Sequence, residues 1–417
     1  MNILVLGAGV VGTACAHYLH RAGHRVTVLE RRAAPGLETS FGNAGGVCPG
    51  FAGPWAAPGM PMKGLRWMLD RYAPLAMRPT LDPHQYAWLA AFVKNCTPER
   101  YARNKARMQR IAHYSKACLV ALRQETGIAY DHGEGGVLQL FRTEDEAAGG
   151  RRSSAVLQKF GVTHELLDAD GVLAAEPALA RSTIRFAGGL NLPGDETGDC
   201  AMFTAALAAR LAGEGVTFAY ETTVQRLRVE RGRLRAVETD MGIYEADAVV
   251  VALGVEAPFL LRRVGLRLPI YPVKGYSITV DLGPDQDGPR SAVMDEHSKV
   301  MITRLGNRLR AAGMAEVAGY DLAVRPDGIE AVRRTVRAIY PGAAVDSAAT
   351  AAPWAGLRPM TPDGPPYLGP THVEGLYLNI GHGSNGWTQA CGTGRIVADI
   401  VSGRSPEIDL EGYGLVR

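Results

Sequence analysis

The sequence predicts an α/β protein in which a doubly wound, Rossmann-like dinucleotide-binding domain carries an inserted second domain. The chain opens with a strand, a glycine-rich turn, a helix and a second strand, and two later apolar strands also end at glycines. The residues between these strands contain helices and short strands of their own. Because ligands of doubly wound sheets bind at the carboxyl ends of the strands, we expect the turns near residues 7, 254 and 381 to reach one cofactor.

The first thirty residues provide the most specific of these signals. An apolar strand over residues 1–6 leads into a G-x-G-x-x-G turn, an amphipathic helix over 13–22 and a strand over 25–29 that stops at Glu30. This unit places a dinucleotide pyrophosphate at a helix N-terminus. The alternative is an ordinary strand–turn–helix corner of an α/β domain.

Each glycine of this turn has a physical reason. Gly7 permits the tight turn, Gly9 lets the backbone approach the phosphates, and Gly12 lets helix and strand pack closely. Glu30 follows where a carboxylate can accept hydrogen bonds from a ribose diol. The expected dinucleotide contacts in this unit are Gly7, Gly9, Val10, Val11, Gly12, Glu30 and Arg31. The motif alone does not distinguish FAD from NAD.

Length and composition limit the classes of protein to consider. The 417 residues suffice for two ordinary domains, and a net charge of +3 without a long basic run argues against a nucleic-acid partner. The N-terminus lacks the pattern of a secretory signal, and no apolar run is long enough to span a membrane. Six scattered cysteines without a CxxC pair favour a cytoplasmic location, and the ten histidines show no metal-binding spacing.

Periodicity predicts the remaining elements. Helices are expected over 63–71, 84–95, 98–126, 199–214, 328–339 and from about 387 to 401. Strands are expected over 136–142, 185–192, 217–220, 223–230, 233–239, 242–245, 246–254, 273–282, 298–304, 309–313 and 376–380. Residues 38–59 are rich in Gly and Pro, and a loop of this length inside a compact domain is usually functional.

Several segments resemble bacterial FAD-dependent D-amino acid dehydrogenases, within the superfamily of D-amino acid, glycine and sarcosine oxidases. The resemblance runs nearly end to end and is carried by residues 38–40, 43–45, 49–52, 54–59, 272–277, 356–364, 381–383, 386–388 and 390–392. It implies non-covalent FAD in a glutathione-reductase-type domain, with an α+β substrate domain built on a mixed or antiparallel sheet. The FAD-binding domain would comprise 1–60, 188–262 and 352–417, and the substrate domain 61–187 and 263–351.

The resemblance also implies further cofactor contacts. They are Thr39, Ser40, Asn43, Ala44, Gly45, Gly46, Val224, Ala252, Leu253, Gly254, Gly356, Gly383, Ser384, Asn385, Gly386, Trp387 and Thr388. The turn at 383–386 opens the last helix, whose free N–H groups and positive dipole end would stabilise negative charge on a reduced flavin. An ordinary helix start with Ser384 or Asn385 as N-cap is compatible with the same sequence.

Arg358 is the expected substrate anchor, because a guanidinium binds a planar carboxylate through two parallel hydrogen bonds. Tyr276, Trp55 and Asn385 are further substrate-binding candidates. The expected reaction is hydride transfer from Cα to flavin N5, followed by hydrolysis of the imine to a 2-oxo acid and ammonia. No catalytic base is assigned, because the flavin carries the chemistry.

Substrate and electron acceptor are left open. The sequence departs from the family pattern at 41–42, 46–48 and 384–385. Both D-amino acids and cyclic imino acids such as D-hydroxyproline are therefore candidate substrates. An oxygen-using oxidase of glycine or N-methyl amino acids and a non-catalytic redox sensor are alternative functions.

Similar dehydrogenases reduce a quinone at the membrane surface. The apolar residues available for peripheral membrane contact are Trp67, Met68, Leu69, Trp88, Leu89 and Phe92. A buried helix face would explain the same residues.

Overall fold

The computed structural model describes residues 1–68, 70–283, 288–346 and 351–417. Its strands are β1 (Asn2–Leu6), β2 (Arg25–Leu29), β3 (Gly46–Val47), β4 (Leu75–Met77), β5 (Val137–Phe141), β6 (Glu165–Leu167), β7 (Gly188–Leu192), β8 (Glu196–Thr197), β9 (Thr217–Ala219), β10 (Val224–Glu230), β11 (Arg233–Thr239), β12 (Gly242–Glu245), β13 (Ala248–Val251), β14 (Tyr271–Asp281), β15 (Ala292–Asp295), β16 (Val300–Leu305), β17 (Arg308–Val317), β18 (Ala352–Met360), β19 (Tyr367–Pro370) and β20 (Leu376–Ile380). Its α-helices are α1 (Val10–Arg21), α2 (Met60–Trp67), α3 (Pro83–Asn95), α4 (Pro98–Thr126), α5 (Glu144–Lys159), α6 (Ala169–Ala175), α7 (Cys200–Gly213), α8 (Ala257–Arg262), α9 (Pro326–Ile339) and α10 (Gly386–Val401).

A six-stranded sheet has the order β19-β20-β13-β1-β2-β9. The five strands from β20 to β9 are parallel, and β19 pairs antiparallel at the edge. Since β1, β13 and β20 are neighbours, their carboxyl ends lie at the same edge of the sheet. The three glycine turns therefore lie at one edge of the sheet, as expected, and their contact with one cofactor stays a prediction.

Both faces of this sheet are covered. In β1, Ile3 and Val5 pack in a core with α1, α4, α7 and α10, whereas Leu4 and Leu6 pack with the antiparallel sheet β10-β11-β12 and with α8. Burying an aliphatic side chain of this size contributes about 1.5–3 kcal/mol. Coverage of both faces explains why the parallel strands read as continuous apolar runs rather than as alternating ones.

The second large sheet has the order β18-β14-β17-β16-β15-β5-β7-β6, with β4 also paired to β17. Most of its pairs are antiparallel, and β15–β5 and β17–β4 are parallel, so the expected mixed sheet is confirmed. Helix α9 packs on one face of it. The predicted domain bounds stay a prediction. Two segments assigned to the FAD-binding domain, 188–262 and 352–417, begin with β7 and β18, and both of these strands pair within this second sheet.

Predicted helix ends agree with the structure where the capping signal is local. Helix α4 ends at Gly127, which adopts a φ of 65°. Helix α7 begins after Asp199, whose carboxylate accepts hydrogen bonds from the N–H groups of Ala201 and Met202. These ends could be predicted because each depends on one nearby residue.

Several elements of the described residues were not predicted, among them α5 and β18. Helix α5 begins after Thr143, whose hydroxyl accepts the N–H of Glu146, while the Glu146 carboxylate accepts the N–H of Arg142. This capping-box spacing was a signal for the helix. Strand β18 contains Pro353 and Pro359, which argue against a central strand, and it lies at the sheet edge, where a missing N–H is tolerated.

Candidate cofactor and substrate site

The glycine turn after β1 has room only for glycine at two positions. Gly7 has a φ of 101°, and a Cβ on it would lie 2.8 Å from the carbonyl oxygen of Ala252. A Cβ on Gly12 would lie 1.9 Å from the carbonyl oxygen of Gly7. The turn, the first turn of α1 and the end of β13 are therefore in contact, as a close backbone approach to a pyrophosphate requires.

Glu30 and Ser40 hold this turn. The Glu30 carboxylate accepts the N–H of Ala8 at 2.8 Å and the N–H of Arg32 at 2.8 Å. The Ser40 hydroxyl oxygen accepts the N–H of Val10 at 3.1 Å. Because each carboxylate oxygen has a second lone pair, Glu30 can also accept a ribose hydroxyl.

Arg31 lies beside these residues at the surface. It forms ion pairs with Glu38 at 2.9 Å and with Glu256 at 3.5 Å. Together with Thr39 and Gly356, which were also expected to contact the cofactor, it borders a groove of about 240 Å³. The groove runs between the segment after β2 and β18.

The loop after β2 meets the start of α10. The Asn43 side chain accepts the N–H of Gly45 at 2.9 Å. The Thr388 hydroxyl accepts the N–H of Cys48 at 3.2 Å and donates to the Gly46 carbonyl at 3.4 Å. Two segments that are more than three hundred residues apart in sequence are therefore brought together, as the cofactor prediction requires.

The start of α10 has no side-chain cap. Neither Ser384 nor Asn385 accepts a hydrogen bond from the first turn of the helix, so the alternative of an ordinary N-cap is not supported. Preceding it, His382 is buried, and this burial lowers its pKa to about 3. Its Nε2 lies 3.1 Å from the Thr393 hydroxyl. At neutral pH this imidazole is therefore uncharged and a weak proton acceptor.

Arg358 lies directly over a glycine of the neighbouring strand. A Cβ on Gly275 would lie 2.1 Å from its Nη2 atom. Its Nη1 donates to the carbonyls of Met314 at 3.1 Å and Lys274 at 3.3 Å, and its Cζ lies 5.7 Å from the ring centre of Trp55. Among the described residues no carboxylate pairs with this guanidinium, and burial lowers its pKa to about 10. A shielded cation held only by carbonyls suits a carboxylate ligand.

Trp354 lies on the same face of β18 as Arg358, because every second residue of a strand points to the same face and the two are four residues apart. Its indole covers Gly356 and Gly42, where added Cβ atoms would lie 1.9 Å and 2.1 Å from ring atoms. Sequence reasoning missed both Trp354 and Gly275. A glycine inside a strand often marks a close approach of another group, and this signal could have identified Gly275.

The structure separates Tyr276 from Arg358. Successive residues of a strand point to opposite faces, so Gly275 faces Arg358 whereas Tyr276 faces α9. There the Tyr276 hydroxyl donates to Glu316, and its ring contacts Gly328. Tyr276 is therefore not a substrate ligand in this arrangement.

Two expected cofactor residues also have structural roles. The Trp387 indole is buried against Phe203, and its Nε1 donates to the Gly198 carbonyl at 3.2 Å, so this side chain is part of the protein interior. Val224 pairs with Thr239 in the antiparallel β10–β12 sheet.

Comparison with known proteins gives the family. The model of the FAD dependent oxidoreductase family matches residues 2–400. The D-amino acid dehydrogenase of Cereibacter sphaeroides is 54% identical over 417 residues, which cover 100% of this chain and 95% of that protein. The D-amino acid dehydrogenase of Methylobacterium nodulans is 53% identical over 416 residues, covering 99% and 98%.

Solved structures of related oxidoreductases have the same fold. Glycine oxidase from Geobacillus kaustophilus superposes with a TM-score of 0.77 at 27% identity, covering 100% of this chain and 98% of that one. L-proline dehydrogenase from P. horikoshii shares the fold, with a TM-score of 0.76 at 20% identity over 99% and 96% of the two chains. With a glycine turn, an uncapped helix start and a family match over residues 2–400, this protein belongs to the FAD-dependent oxidoreductases.

Proposed function

We propose that this protein is an FAD-dependent D-amino acid dehydrogenase. The observation that carries the proposal is the Arg358 guanidinium, which is shielded by Trp55, held by two carbonyls and left without an acidic partner among the described residues. It can bind the carboxylate common to all amino acids. The amino acid class and the D configuration rest on relatives of that name at 53–54% identity.

The residues present fit FAD. A Cβ on Gly7 would clash with the Ala252 carbonyl and one on Gly12 with the Gly7 carbonyl, and Glu30 has acceptor capacity for a ribose. The start of α10, without a side-chain cap, would offer its N–H groups to negative charge on the isoalloxazine of bound FAD. Bound FAD supplies the two-electron oxidation, as acceptor of a hydride from the substrate.

The chain itself binds and orients the substrate. Arg358 stays protonated at neutral pH, since its pKa of about 10 is above that range. It fixes the carboxylate and thereby the position of Cα, and Trp55 packs on the guanidinium and excludes water from that side. Because burial lowers the pKa of His382 to about 3, its imidazole is too weak a base to deprotonate the substrate ammonium. We therefore expect the substrate to react with its amine already deprotonated, so that turnover rises with pH toward the substrate's own pKa.

The test is anaerobic mixing of the purified, yellow holoenzyme with a panel of D- and L-amino acids, while flavin absorbance is recorded. We expect D-amino acids to bleach the flavin and their L-enantiomers not to. Bleaching only by D-hydroxyproline would assign the imino acid function, and bleaching only by glycine or sarcosine, together with hydrogen peroxide formation in air, would assign the oxidase function. A colourless protein that binds NADH would overturn the proposal in favour of a redox sensor.

We further propose a quinone as electron acceptor, reached at a membrane surface through α2. No helix among the described residues is long and apolar enough to cross a membrane. Helix α2 buries none of its residues and exposes Met62 and Leu65 by 59% and 55%, beside the cations Lys63 and Arg66. An apolar stripe flanked by basic residues is typical of contact with an anionic bilayer.

The other apolar residues of this region divide between interior and surface. Trp88 is buried with Tyr271, and Leu89 and Phe92 pack against the same cluster, so a buried helix face accounts for them. Met68 is exposed, and Leu69 lies outside the described residues.

Sedimentation with vesicles of phosphatidylethanolamine and phosphatidylglycerol tests the membrane contact. We expect Leu65→Glu to reduce co-sedimentation, whereas Met241→Glu, a change at an exposed apolar residue outside α2, should not. Equal binding of all three proteins would refute it. Hydrogen peroxide formation in air at the rate seen with a soluble quinone would argue for oxygen as the acceptor.

A further inference from the structure

The pairing of β14 with β17 is irregular beside Arg358. Lys274 pairs with Glu316, and the next pair is Tyr276 with Gly313. Between these pairs β17 therefore contains one residue more than β14 does. This is a β-bulge, a feature that is common next to active sites because it redirects a group of the strand.

The bulge directs two carbonyls to the guanidinium. Met314 lies inside it with a φ of 54°, which is rare for a residue other than glycine. The carbonyls of Met314 and Lys274 accept hydrogen bonds from Arg358 Nη1 at 3.1 Å and 3.3 Å. The orientation of the guanidinium therefore depends on the geometry of the bulge.

Glu316 holds the bulge from the opposite face of the sheet. Its carboxylate lies 2.9 Å from the Lys274 ammonium and also accepts hydrogen bonds from the Tyr276 hydroxyl and from Arg78. Lys274 and Tyr276 are the two neighbours of Gly275, on which the guanidinium lies. The buried Glu316 carboxylate thus contacts the residues before and after Gly275, the glycine on which the guanidinium lies.

This carboxylate is ionised although it is 1% exposed. Burial on its own would raise the pKa of Glu316, but the hydrogen bonds from Tyr276, Lys274 and Arg78 hold it below the usual value. Lys274, which has no exposed surface, depends on this charge and on Asp321 at 3.2 Å. Removing a single partner from such a cluster leaves a buried charge uncompensated.

We infer that Glu316 is a positioning residue for the substrate carboxylate, acting through the bulge and Arg358 without touching the substrate. The inference rests on the proposed function only in assigning the carboxylate to Arg358. Loss of the Glu316 charge loosens β14 and β17 at the bulge, so the guanidinium loses its fixed acceptors. Carboxylate binding weakens, while a substrate that is bound correctly still reacts.

The test compares Glu316→Gln with wild type as FAD-loaded enzymes. Benzoate, a carboxylate without an amine, is titrated while flavin absorbance is followed, and KM and kcat are measured with D-alanine. We expect the benzoate Kd and the KM each to rise by about tenfold, with kcat within about twofold and the FAD content unchanged. Tyr276→Phe removes one of the hydrogen bonds and should give a smaller rise of the same kind.

A matched control separates positioning from general destabilisation. Asp295 is a fully buried carboxylate on β15, two strands beyond β17 in the same sheet. It is paired with Arg142. Asp295→Asn should lower the melting temperature without changing the benzoate Kd.

An unchanged benzoate Kd in Glu316→Gln, or an equal rise in Asp295→Asn, would overturn the inference. If Glu316→Gln does not fold, an unchanged Kd in Tyr276→Phe overturns it. If wild type binds benzoate but does not oxidise D-amino acids, the proposed function fails and the positioning role still stands or falls by the Kd values.

Discussion

Replacement of Arg358 by alanine is the most direct test of the site. In the structure the guanidinium has two carbonyl acceptors, at 3.1 Å and 3.3 Å, and no acidic partner among the described residues. A bound carboxylate would therefore be its ion-pair partner. Truncating one side of a buried ion pair costs about 3–5 kcal/mol, and each 1.4 kcal/mol corresponds to about a factor of ten. We expect kcat/KM for D-alanine to fall by about two to three and a half orders of magnitude, mostly through KM.

The assay is steady-state dye reduction, with benzoate titration as a binding measurement that is independent of turnover. Arg358→Lys keeps the charge but loses the two-point geometry, so its loss should be smaller, about tenfold to a hundredfold. Arg304 provides a matched control, since it too donates to a backbone carbonyl, that of Pro289, at 2.8 Å on a strand of the same sheet. Normal FAD content with unchanged KM and benzoate Kd in Arg358→Ala would refute the assignment, as would an equal loss in Arg304→Ala.

Three further outcomes follow from the structure. Gly275→Ala places a methyl 2.1 Å from the Arg358 guanidinium and should raise KM at least tenfold with FAD retained; a wild-type KM would contradict the contact. Gly12→Ala forces a methyl to within 1.9 Å of the Gly7 carbonyl, so the purified protein should lose most of its absorbance near 450 nm, and full FAD content would argue against the turn as the pyrophosphate site. Burial lowers the pKa of His382 from 6.5 to about 3, so between these pH values the unfolded state binds the proton more readily than the folded state. The free energy of unfolding should therefore be highest above pH 6.5 and decline as the pH falls toward 3. Thermal melts of His382→Gln should show a shallower decline over that interval, and parallel curves would count against the shift.

Local signals in the sequence determined the nucleotide-binding half of the protein. The strand, the glycine turn and the helix after it interact within about twenty residues, so their types and spacing were sufficient to predict them. The same holds for α4, whose predicted bounds of 98–126 agree with the structure because a capping threonine and a C-terminal glycine flank it. The choice of Arg358 also came from the sequence, through its resemblance to a family.

Only the tertiary structure decided what surrounds Arg358. The register of β14 with β18 decides which face of β14 the Arg358 side chain meets, and a shift by one residue exchanges the two faces. For this reason Tyr276 was expected beside Arg358, where the structure has Gly275. The bulge at Met314 and its connection to Glu316 arise from the pairing of strands that are some forty residues apart in sequence. No local pattern encodes such a pairing, because its free energy comes from contacts that exist only after the sheet has formed.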